Sequence, residues 1–279
     1  MKADPKRVLF QDAFYHRQSE KAFRHSICAM TILVRQGRKS MIEFIDFSCY
    51  YMLKKENISV LENINFQVEE GDFFVITGPS GCGKSTLLKS ILGLGGYFSG
   101  DIIVNGRSFE DISGKDNVFG YVSQEYSLYP SMTIYENIAL PLRVMHTPHE
   151  ELDARVRSVA KRLNIDWLLT RKPKQLSGGQ QQLVAIARAL VRNPEVLLMD
   201  EPLSNVDPKW RAEMRELLRQ INKDYHCTVL FVTHDIPEAL YLGDHIMVFG
   251  EGQIERIVTP EEFIQVYGNR NFIDFFGEL

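Results

Sequence analysis

The sequence predicts an α/β fold in which buried strands form a core and a mostly helical segment is inserted between β-rich segments. Three observations predict it. Residues 73–77, 196–199 and 228–233 are short apolar, β-prone runs, as the buried strands of a parallel sheet are. Residues 42–47 alternate apolar and polar side chains, which is typical of a half-buried strand. Residues 125–193 show helical spacing instead.

The β-rich segments add further elements in chain order. A second alternating run at 60–68 predicts a strand, and the run at 87–92 suits a helix. The glycine-rich residues 93–100 predict a loop. The remaining predicted elements are a short strand and turn at 101–106, a strand at 118–123, a helix at 210–223, a hairpin of 246–249 with 253–257, and a helical tail from residue 260.

The helical segment defines the predicted domain boundaries. Residues 133–139 and 150–163 have helical spacing, and residues 183–190 repeat the i, i+3, i+4, i+7 pattern of an amphipathic helix. We therefore divide the chain into a basic N-terminal extension (1–40), a core (41–124 and 194–260), a helical subdomain (125–193) and a C-terminal helical tail (261–279).

Length and composition limit the classes of protein to which the chain can belong. With 279 residues, 44% hydrophobic and 24% charged, it suits one or two globular domains. The net charge of −4 argues against nucleic acid as the main partner. No apolar run approaches the ~18 residues that span a bilayer. The four cysteines show no C-x-x-C pair, which fits a reduced, cytosolic protein.

Residues 1–40 differ from the rest of the chain in charge. They contain nine Lys or Arg and three Asp or Glu, a net charge of +6 against −10 for the remaining 239 residues. The apolar run 27–34 resembles a signal peptide, but no small-residue cleavage site follows it. A basic amphipathic segment that touches a membrane surface is one alternative. We favour a loosely ordered leader before a functional start at Met41.

The strongest functional signal is a glycine-rich turn between the predicted strand 73–77 and the helix after it. It fits the P-loop pattern G-x-x-x-x-G-K-[ST] with Gly78, Pro79, Ser80, Gly81, Cys82, Gly83, Lys84, Ser85 and Thr86. Such a turn directs backbone N–H groups at phosphate beside a helix N-terminus. Lys84 can then reach the β- and γ-phosphates, and Ser85 can ligate Mg²⁺. The alternative is a glycine-rich turn with a solvated lysine, but this does not explain why a predicted strand precedes the turn and a predicted helix follows it.

Two acidic residues, Asp200 and Glu201, follow the apolar run 196–199. Beside a P-loop, an aspartate that ends a strand can hold Mg²⁺ directly or through its water. The next carboxylate would project toward the γ-phosphate, where it can act as general base on the attacking water. Many buried strands end in an acidic residue, so the pattern indicates a Mg²⁺ site only because a P-loop precedes it in the chain.

A second anion-binding turn lies ahead of an amphipathic helix that we expect to start near Gln180. It consists of Leu176, Ser177, Gly178, Gly179 and Gln180. One chain rarely needs two such cradles for one phosphate, so the simplest interpretation is that the turn of one copy faces the P-loop of another. The alternative is an N-capped helix with a glycine-rich entry.

The motifs are, in order, the P-loop, Gln124, the second turn, Asp200 with Glu201, the run 204–207 and His234. Their order resembles that of the ATP-binding subunit of an ABC transporter. The resemblance covers the chain from about Met41 onwards. It implies a P-loop NTPase (RecA-like) core with an antiparallel β subdomain and a helical insertion. It also implies that ATP, bound with Mg²⁺, is hydrolysed to drive transport.

The resemblance further implies roles for single residues. Tyr51 matches the aromatic that stacks on adenine, with Tyr50 as the neighbouring candidate, and Asp207 matches the loop that links the two sites of a dimer. Gln124 matches a glutamine that contacts Mg²⁺ and senses the membrane partner, and His234 matches a histidine that contacts the γ-phosphate. The catalytic residues expected are Lys84, Gln124, Glu201 and His234, and the Mg²⁺ ligands expected are Ser85, Gln124 and Asp200.

Within the family, the runs 129–138 and 250–262 resemble importer subunits for carbohydrates and polyamines. The partners implied are a second ATPase subunit in a homodimer, transmembrane permease subunits and an extracytoplasmic solute-binding protein. The implied location is peripheral, at the cytoplasmic face of the cell membrane. Two features depart from the pattern: those subunits commonly continue into a regulatory β-domain, whereas this chain stops at Leu279, and Leu183 replaces the usual Arg.

Two other classes of protein compete with this interpretation. Soluble ABC-type ATPases that act on nucleic acid, the ribosome or cluster assembly often carry paired cassettes, a long coiled coil or a basic surface. This sequence has one cassette and no sustained heptads. An unrelated P-loop kinase or GTPase leaves residues 176–180 unexplained. Export is less favoured than import, because exporter cassettes are often fused to a membrane-spanning domain.

Overall fold

A computed structural model of the chain describes residues 39–53, 56–113 and 116–267. Most of the extension 1–40 and the end of the predicted tail lie outside these residues. The strands are β1 (Ser40–Leu53), β2 (Glu56–Glu69), β3 (Phe73–Thr77), β4 (Tyr97–Val104), β5 (Arg107–Ser108), β6 (Phe119–Val122), β7 (Val196–Asp200), β8 (Thr228–Val232), β9 (His245–Gly250) and β10 (Gln253–Val258).

Seven α-helices accompany these strands in the described residues. They are α1 (Lys84–Ile91), α2 (Ile134–Val144), α3 (His149–Arg162), α4 (Gly178–Leu190), α5 (Pro208–Tyr225), α6 (Ile236–Leu242) and α7 (Pro260–Tyr267). The short helix α6 is an element that the sequence patterns did not predict. None of the helices in the described ranges is long and apolar enough to cross a bilayer.

The central sheet has six strands in the order β10-β9-β3-β8-β7-β6. Its strands from β9 to β6 pair in parallel, and β10 pairs antiparallel with β9 as the predicted hairpin. Every residue of β3, β7 and β8 is buried, which explains their continuous apolar runs. Because parallel strands place their carboxyl ends at one edge, the residues that follow β3, β6, β7 and β8 are brought together there.

Alternate residues of the central strands enter two apolar cores. Phe73 and Val75 face a core shared with helices α2 to α7. Phe74 and Ile76 face a second core, shared with α1 and the antiparallel strands. The sheet is therefore covered on both sides, and its edge rather than its faces is left for a site.

The second sheet is antiparallel, in the order β2-β1-β4-β5. The predicted loop at 93–100 is wrong in its second half, because β4 already begins at Tyr97. Its glycines serve close backbone approach: a Cβ on Gly100 would lie 2.3 Å from the carbonyl oxygen of Asp46, and one on Gly96 would lie 2.0 Å from that of Tyr50. A glycine-rich run thus marks tight strand packing here rather than a loop.

The predicted helical subdomain contains α2, α3 and α4, which pack on one another through the first core. Helix α2 starts with a capping box: the Thr133 hydroxyl accepts a hydrogen bond from the Glu136 N–H, and the Glu136 carboxylate accepts one from the Thr133 N–H. Buried Asn137 holds the loop before it through the N–H and carbonyl of Tyr129. The half-buried Leu183 packs on the same core, so an apolar contact stands where the resemblance led us to expect an arginine.

Candidate functional site

The glycine-rich turn joins β3 to α1 in a conformation that other residues would strain. Gly81 and Gly83 have φ of +79° and +111°, in the left-handed region that favours glycine. A Cβ on Gly78 would lie 1.9 Å from the carbonyl oxygen of Phe249. The turn therefore needs glycine at these positions, and it leaves a backbone-lined cradle at the N-terminus of α1.

The Lys84 side chain is folded over this cradle. Its ammonium donates hydrogen bonds to the carbonyl oxygens of Gly78 at 2.8 Å and Pro79 at 2.7 Å. The side chain is only 5% exposed. The Lys84 ammonium is thus already held within the turn, where it could donate hydrogen bonds to phosphate oxygens.

Ser85 and Asp200, both expected as Mg²⁺ ligands, contact each other in the structure. The Ser85 hydroxyl donates a hydrogen bond of 2.7 Å to the Asp200 carboxylate, joining α1 to the end of β7. Burial raises the pKa of Asp200, while the hydrogen bond from Ser85 and the charge of Lys89 lower it. Burial disfavours the ionised form of the Asp200 carboxylate, and a cation bound beside it would stabilise that form.

Tyr121 is a neighbour of this pair that sequence reasoning missed. It lies on β6 opposite Leu198 of β7, so it shares a sheet face with Asp200, two residues further on. Burial raises the pKa of Tyr121 to about 12, and its interaction with the Asp200 carboxylate adds to the effect. Strand pairing is the signal that identifies it.

Gln124, Glu201 and His234 meet beside these residues although they follow three different strands. The Glu201 carboxylate lies 3.4 Å from Nε2 of Gln124 and 3.3 Å from Nδ1 of His234. Glu201 adopts φ +46°, and its N–H donates to the carbonyl of Val232 at the end of β8. This strained backbone turns the carboxylate toward the other two side chains.

Ser177 and Asp207 begin helices in the structure. Ser177 caps α4: its hydroxyl accepts a hydrogen bond from the N–H of Gln180, whose side chain accepts one from the N–H of Ser177. Asp207 caps α5 by accepting from the N–H of Lys209. Ser177 is exposed, and no hydrogen bond in the described residues joins it to the glycine-rich turn. The second cradle therefore stays open to another molecule.

Tyr51 and Tyr50 are both half-buried on β1. A Cβ on Gly96 would lie 3.4 Å from the Tyr51 ring, so a small residue at 96 leaves room beside that ring. In the described residues no hydrogen bond joins either tyrosine to the glycine-rich turn. Stacking of Tyr51 on adenine stays a prediction.

The residues at this edge suit a triphosphate and a hard cation. The cradle is lined by backbone, and Lys84 supplies a positive charge inside it. Serine hydroxyl, aspartate carboxylate and glutamine amide oxygens are ligands that Mg²⁺ accepts. The described ranges contain no group of three His, Cys, Asp or Glu that could hold a metal alone. A cation here would rely on this mixed set together with oxygens of the phosphates.

The thiol of Cys82 behaves differently from what its place in the sequence suggests. Proximity to Lys84 at a helix N-terminus leads one to expect a lowered pKa. In the structure burial is the larger effect and raises the pKa of Cys82, while Lys84 and backbone N–H groups oppose it. The turn between β9 and β10 contributes to this burial, because the N–H of Gly252 donates to the Cys82 carbonyl.

We expect maleimide to label Cys82 more slowly at pH 7 than it labels a small free thiol, because less of Cys82 is thiolate. Labelling should accelerate as the pH rises toward 9, and bound ATP should protect Cys82 from labelling. Mass spectrometry of the peptide containing residue 82, over a time course with and without ATP, measures both effects. Labelling as fast as that of the small thiol, or equal labelling with ATP, would contradict the expectation.

Known proteins are similar to this chain over most of its length. A family model described as "ABC transporter" matches residues 61–204. An sn-glycerol-3-phosphate import ATP-binding protein of Agrobacterium fabrum is 43% identical over 75% of this chain and 59% of its own length. The trehalose/maltose import ATP-binding protein of Thermococcus litoralis is 41% identical over 79% of this chain and 61% of its own length. A spermidine/putrescine import ATP-binding protein of Legionella pneumophila is 42% identical over 80% and 61%.

A solved structure covers a similar share of the chain. It is the dimeric ATP-binding cassette MJ0796 in a post-hydrolysis state with ADP and Pi, which matches with a TM-score of 0.70 and 34% identity over 79% of this chain and 99% of that one. The chain spans only 59% and 61% of the first two curated relatives. The family match includes the glycine-rich turn, Gln124, the turn at 176–180 and Asp200 with Glu201. The chain that builds this site therefore belongs to the ABC transporter family.

Proposed function

We propose that the chain binds and hydrolyses ATP as the motor subunit of an ABC transporter and energises import through separate membrane subunits. The observation that carries the proposal is the meeting of Gln124, Glu201 and His234 beside Ser85 and Asp200 at one edge of the sheet. The import functions in the names of the relatives support the direction. They do not agree on one solute, so the cargo is left open.

Different residues of the chain have different roles in hydrolysis. Lys84 and the backbone of the turn bind the β- and γ-phosphates. Ser85, Asp200 and Gln124 would hold Mg²⁺, which neutralises phosphate charge when it is bound. Glu201 accepts a proton from water as the water oxygen bonds to the γ-phosphorus, and the bond from that phosphorus to the ADP oxygen breaks. His234 keeps the Glu201 carboxylate in place, 3.3 Å from its Nδ1.

The experiment that tests the proposal is ATP hydrolysis by the purified chain, alone and in proteoliposomes with the permease subunits of a carbohydrate or polyamine importer. Solute uptake that requires both the chain and ATP supports the motor function. Hydrolysis that is insensitive to every membrane partner, with no uptake, would favour the alternative of a soluble ABC-type ATPase.

The second phosphate cradle supports a head-to-tail homodimer in which Ser177 of one copy completes the site around Lys84 of the other. Glu201→Gln should trap this dimer with ATP, since the nucleotide is no longer consumed and binds the dimer better than the monomer. Adding Ser177→Arg should abolish the dimer, because a bulky cation fills the exposed turn. Sedimentation with saturating ATP distinguishes the two states.

A matched control for this test is Thr170→Arg, which adds the same charge at another exposed residue of the helical subdomain. It should leave the trapped dimer intact. A Glu201→Gln protein that binds ATP yet stays monomeric at high concentration, also with permease subunits present, would exclude the proposed arrangement.

Residues 125–145 are the surface that we propose for docking of the permease subunits. Val144 and Tyr129 are 71% and 48% exposed there, so the segment presents apolar side chains that a partner could cover. Val144→Asp should lower transport at least about tenfold and keep basal hydrolysis within about twofold, as expected when an interface anchor is lost. Glu136 is unsuitable for such a test, because it completes the capping box of α2.

The control is Ile264→Asp on α7, which is 55% exposed and outside this surface. Uptake by proteoliposomes and hydrolysis without membrane subunits are measured for both variants. Normal uptake with Val144→Asp would place the docking surface elsewhere. An extracytoplasmic solute-binding protein and a position at the cytoplasmic face of the membrane follow from the import function, and the same uptake assay tests the first of them.

A further inference from the structure

The segment after β6, residues 124–127, has an unusual backbone. Tyr126 and Ser127 have φ of +59° and +48°, so two consecutive residues with side chains adopt the left-handed conformation. Such residues are strained and persist only where their surroundings hold them. The segment also carries Gln124, whose side chain reaches Glu201.

Arg188, on the last turns of α4, holds this backbone. Its guanidinium donates a hydrogen bond of 2.8 Å to the carbonyl of Ser127 and another of 2.8 Å to the carbonyl of Tyr126. In the described part of the chain no carboxylate forms an ion pair with it. The planar guanidinium therefore donates its hydrogen bonds to the carbonyls of the two residues whose backbone is strained.

The same segment is tied to the loop before α5 by two further contacts. The Asn205 amide donates a hydrogen bond of 3.2 Å to the carbonyl of Gln124. The Tyr126 hydroxyl donates one of 3.4 Å to the carbonyl of Asn205. Tyr126 therefore contacts Asn205 through its side chain and Arg188 through its carbonyl. Arg188 and Asn205 thus hold the segment through separate contacts, and releasing Arg188 would leave the Asn205 contacts to hold Gln124.

We infer that Arg188 is a positioning residue for hydrolysis: it holds residues 124–127 in their left-handed conformation and so keeps Gln124 beside Glu201. This inference rests on the proposed function for its kinetic consequence and on the geometry alone for its structural one. Arg188 touches neither the nucleotide cradle nor Glu201, so its effect on catalysis is indirect. The segment 124–127, and with it Gln124, is the only part of the site that we expect it to move.

The test starts with Arg188→Lys, which keeps the charge and much of the stem but cannot hold two carbonyls in fork geometry. We expect kcat to fall about 10- to 100-fold, as misplacement of a catalytic group by about 1 Å does, with KM for ATP within about twofold. Hydrogen–deuterium exchange should rise about tenfold in residues 124–128 and stay unchanged in β8.

A second-site variant separates positioning from general destabilisation. Ser127→Gly in the Arg188→Lys background removes the cost of positive φ at 127, and it should give a kcat at least about threefold above that of Ser127→Ala in the same background. Both changes remove the hydroxyl that contacts Ser123 at 2.9 Å, so the two variants differ by one methyl group and by the backbone freedom that its absence gives. Without Arg188 holding the segment, that freedom decides how often Gln124 is in place.

The outcomes are distinct. Wild-type kcat and unchanged exchange in Arg188→Lys would overturn the inference, and so would equal activity of the glycine and alanine variants. Faster exchange throughout the chain would show a general loss of stability and would also overturn it. Because exchange is measured without hydrolysis, a chain that hydrolyses no ATP would refute the proposed function and still allow the structural part of this inference to be decided.

Discussion

Lys84→Ala is expected to weaken ATP binding at least about a hundredfold. The ammonium makes two hydrogen bonds within the turn, to the carbonyls of Gly78 and Pro79, and is already in place for phosphate oxygens. A hydrogen bond to a charged group contributes ~1.5–3 kcal/mol, so two of them contribute at least ~3 kcal/mol. At ~1.4 kcal/mol for each factor of ten in affinity, this corresponds to about a hundredfold or more.

Calorimetric titration with ATP measures the effect. Lys89→Ala is the matched control, because it removes the same charge five residues later on α1, where the charge acts on Asp200 and makes no hydrogen bond to the cradle carbonyls. We expect the control to change the affinity only a few-fold. If Lys84→Ala and Lys89→Ala bind ATP equally well, the cradle is not the phosphate site.

Glu201→Gln should slow hydrolysis about 10²- to 10⁴-fold, the usual contribution of a general base. The amide has the shape of the carboxylate and can still meet His234, which lies 3.3 Å from the Glu201 oxygen, and Gln124, which lies 3.4 Å from it. It cannot accept the proton of the attacking water. ATP affinity should therefore stay within a few-fold of the wild-type value while turnover is lost.

The control is Glu195→Gln, which makes the same change just before β7, at the opposite end of the strand from Glu201. Glu195 is exposed and accepts a hydrogen bond from Asn105, far from the cradle in the strand direction. Phosphate release and ATP binding are measured for both variants. Turnover of Glu201→Gln within tenfold of wild type would mean that the base is another residue.

Local sequence was sufficient to predict most of the elements that build the site. The strand before the glycine-rich turn was predicted at 73–77, as observed, and the helix predicted to start near Gln180 is α4, which begins at Gly178. These elements are set by apolar periodicity and by glycine, serine and aspartate at helix ends, which act over a few residues. The start of β4 and the helix α6 were missed, because close packing against other segments decides both.

The sequence by itself determined which residues could bind phosphate, cation and water, since the P-loop, Asp200, Glu201 and the turn at 176–180 are contiguous motifs. Only the tertiary structure decided which of them meet. Strand order brings Gln124, Glu201 and His234 together, strand pairing adds Tyr121, and packing of α4 adds Arg188. Cys82 shows the physical reason: its charged neighbour is visible in the sequence, whereas the burial that outweighs that charge comes from segments far along the chain.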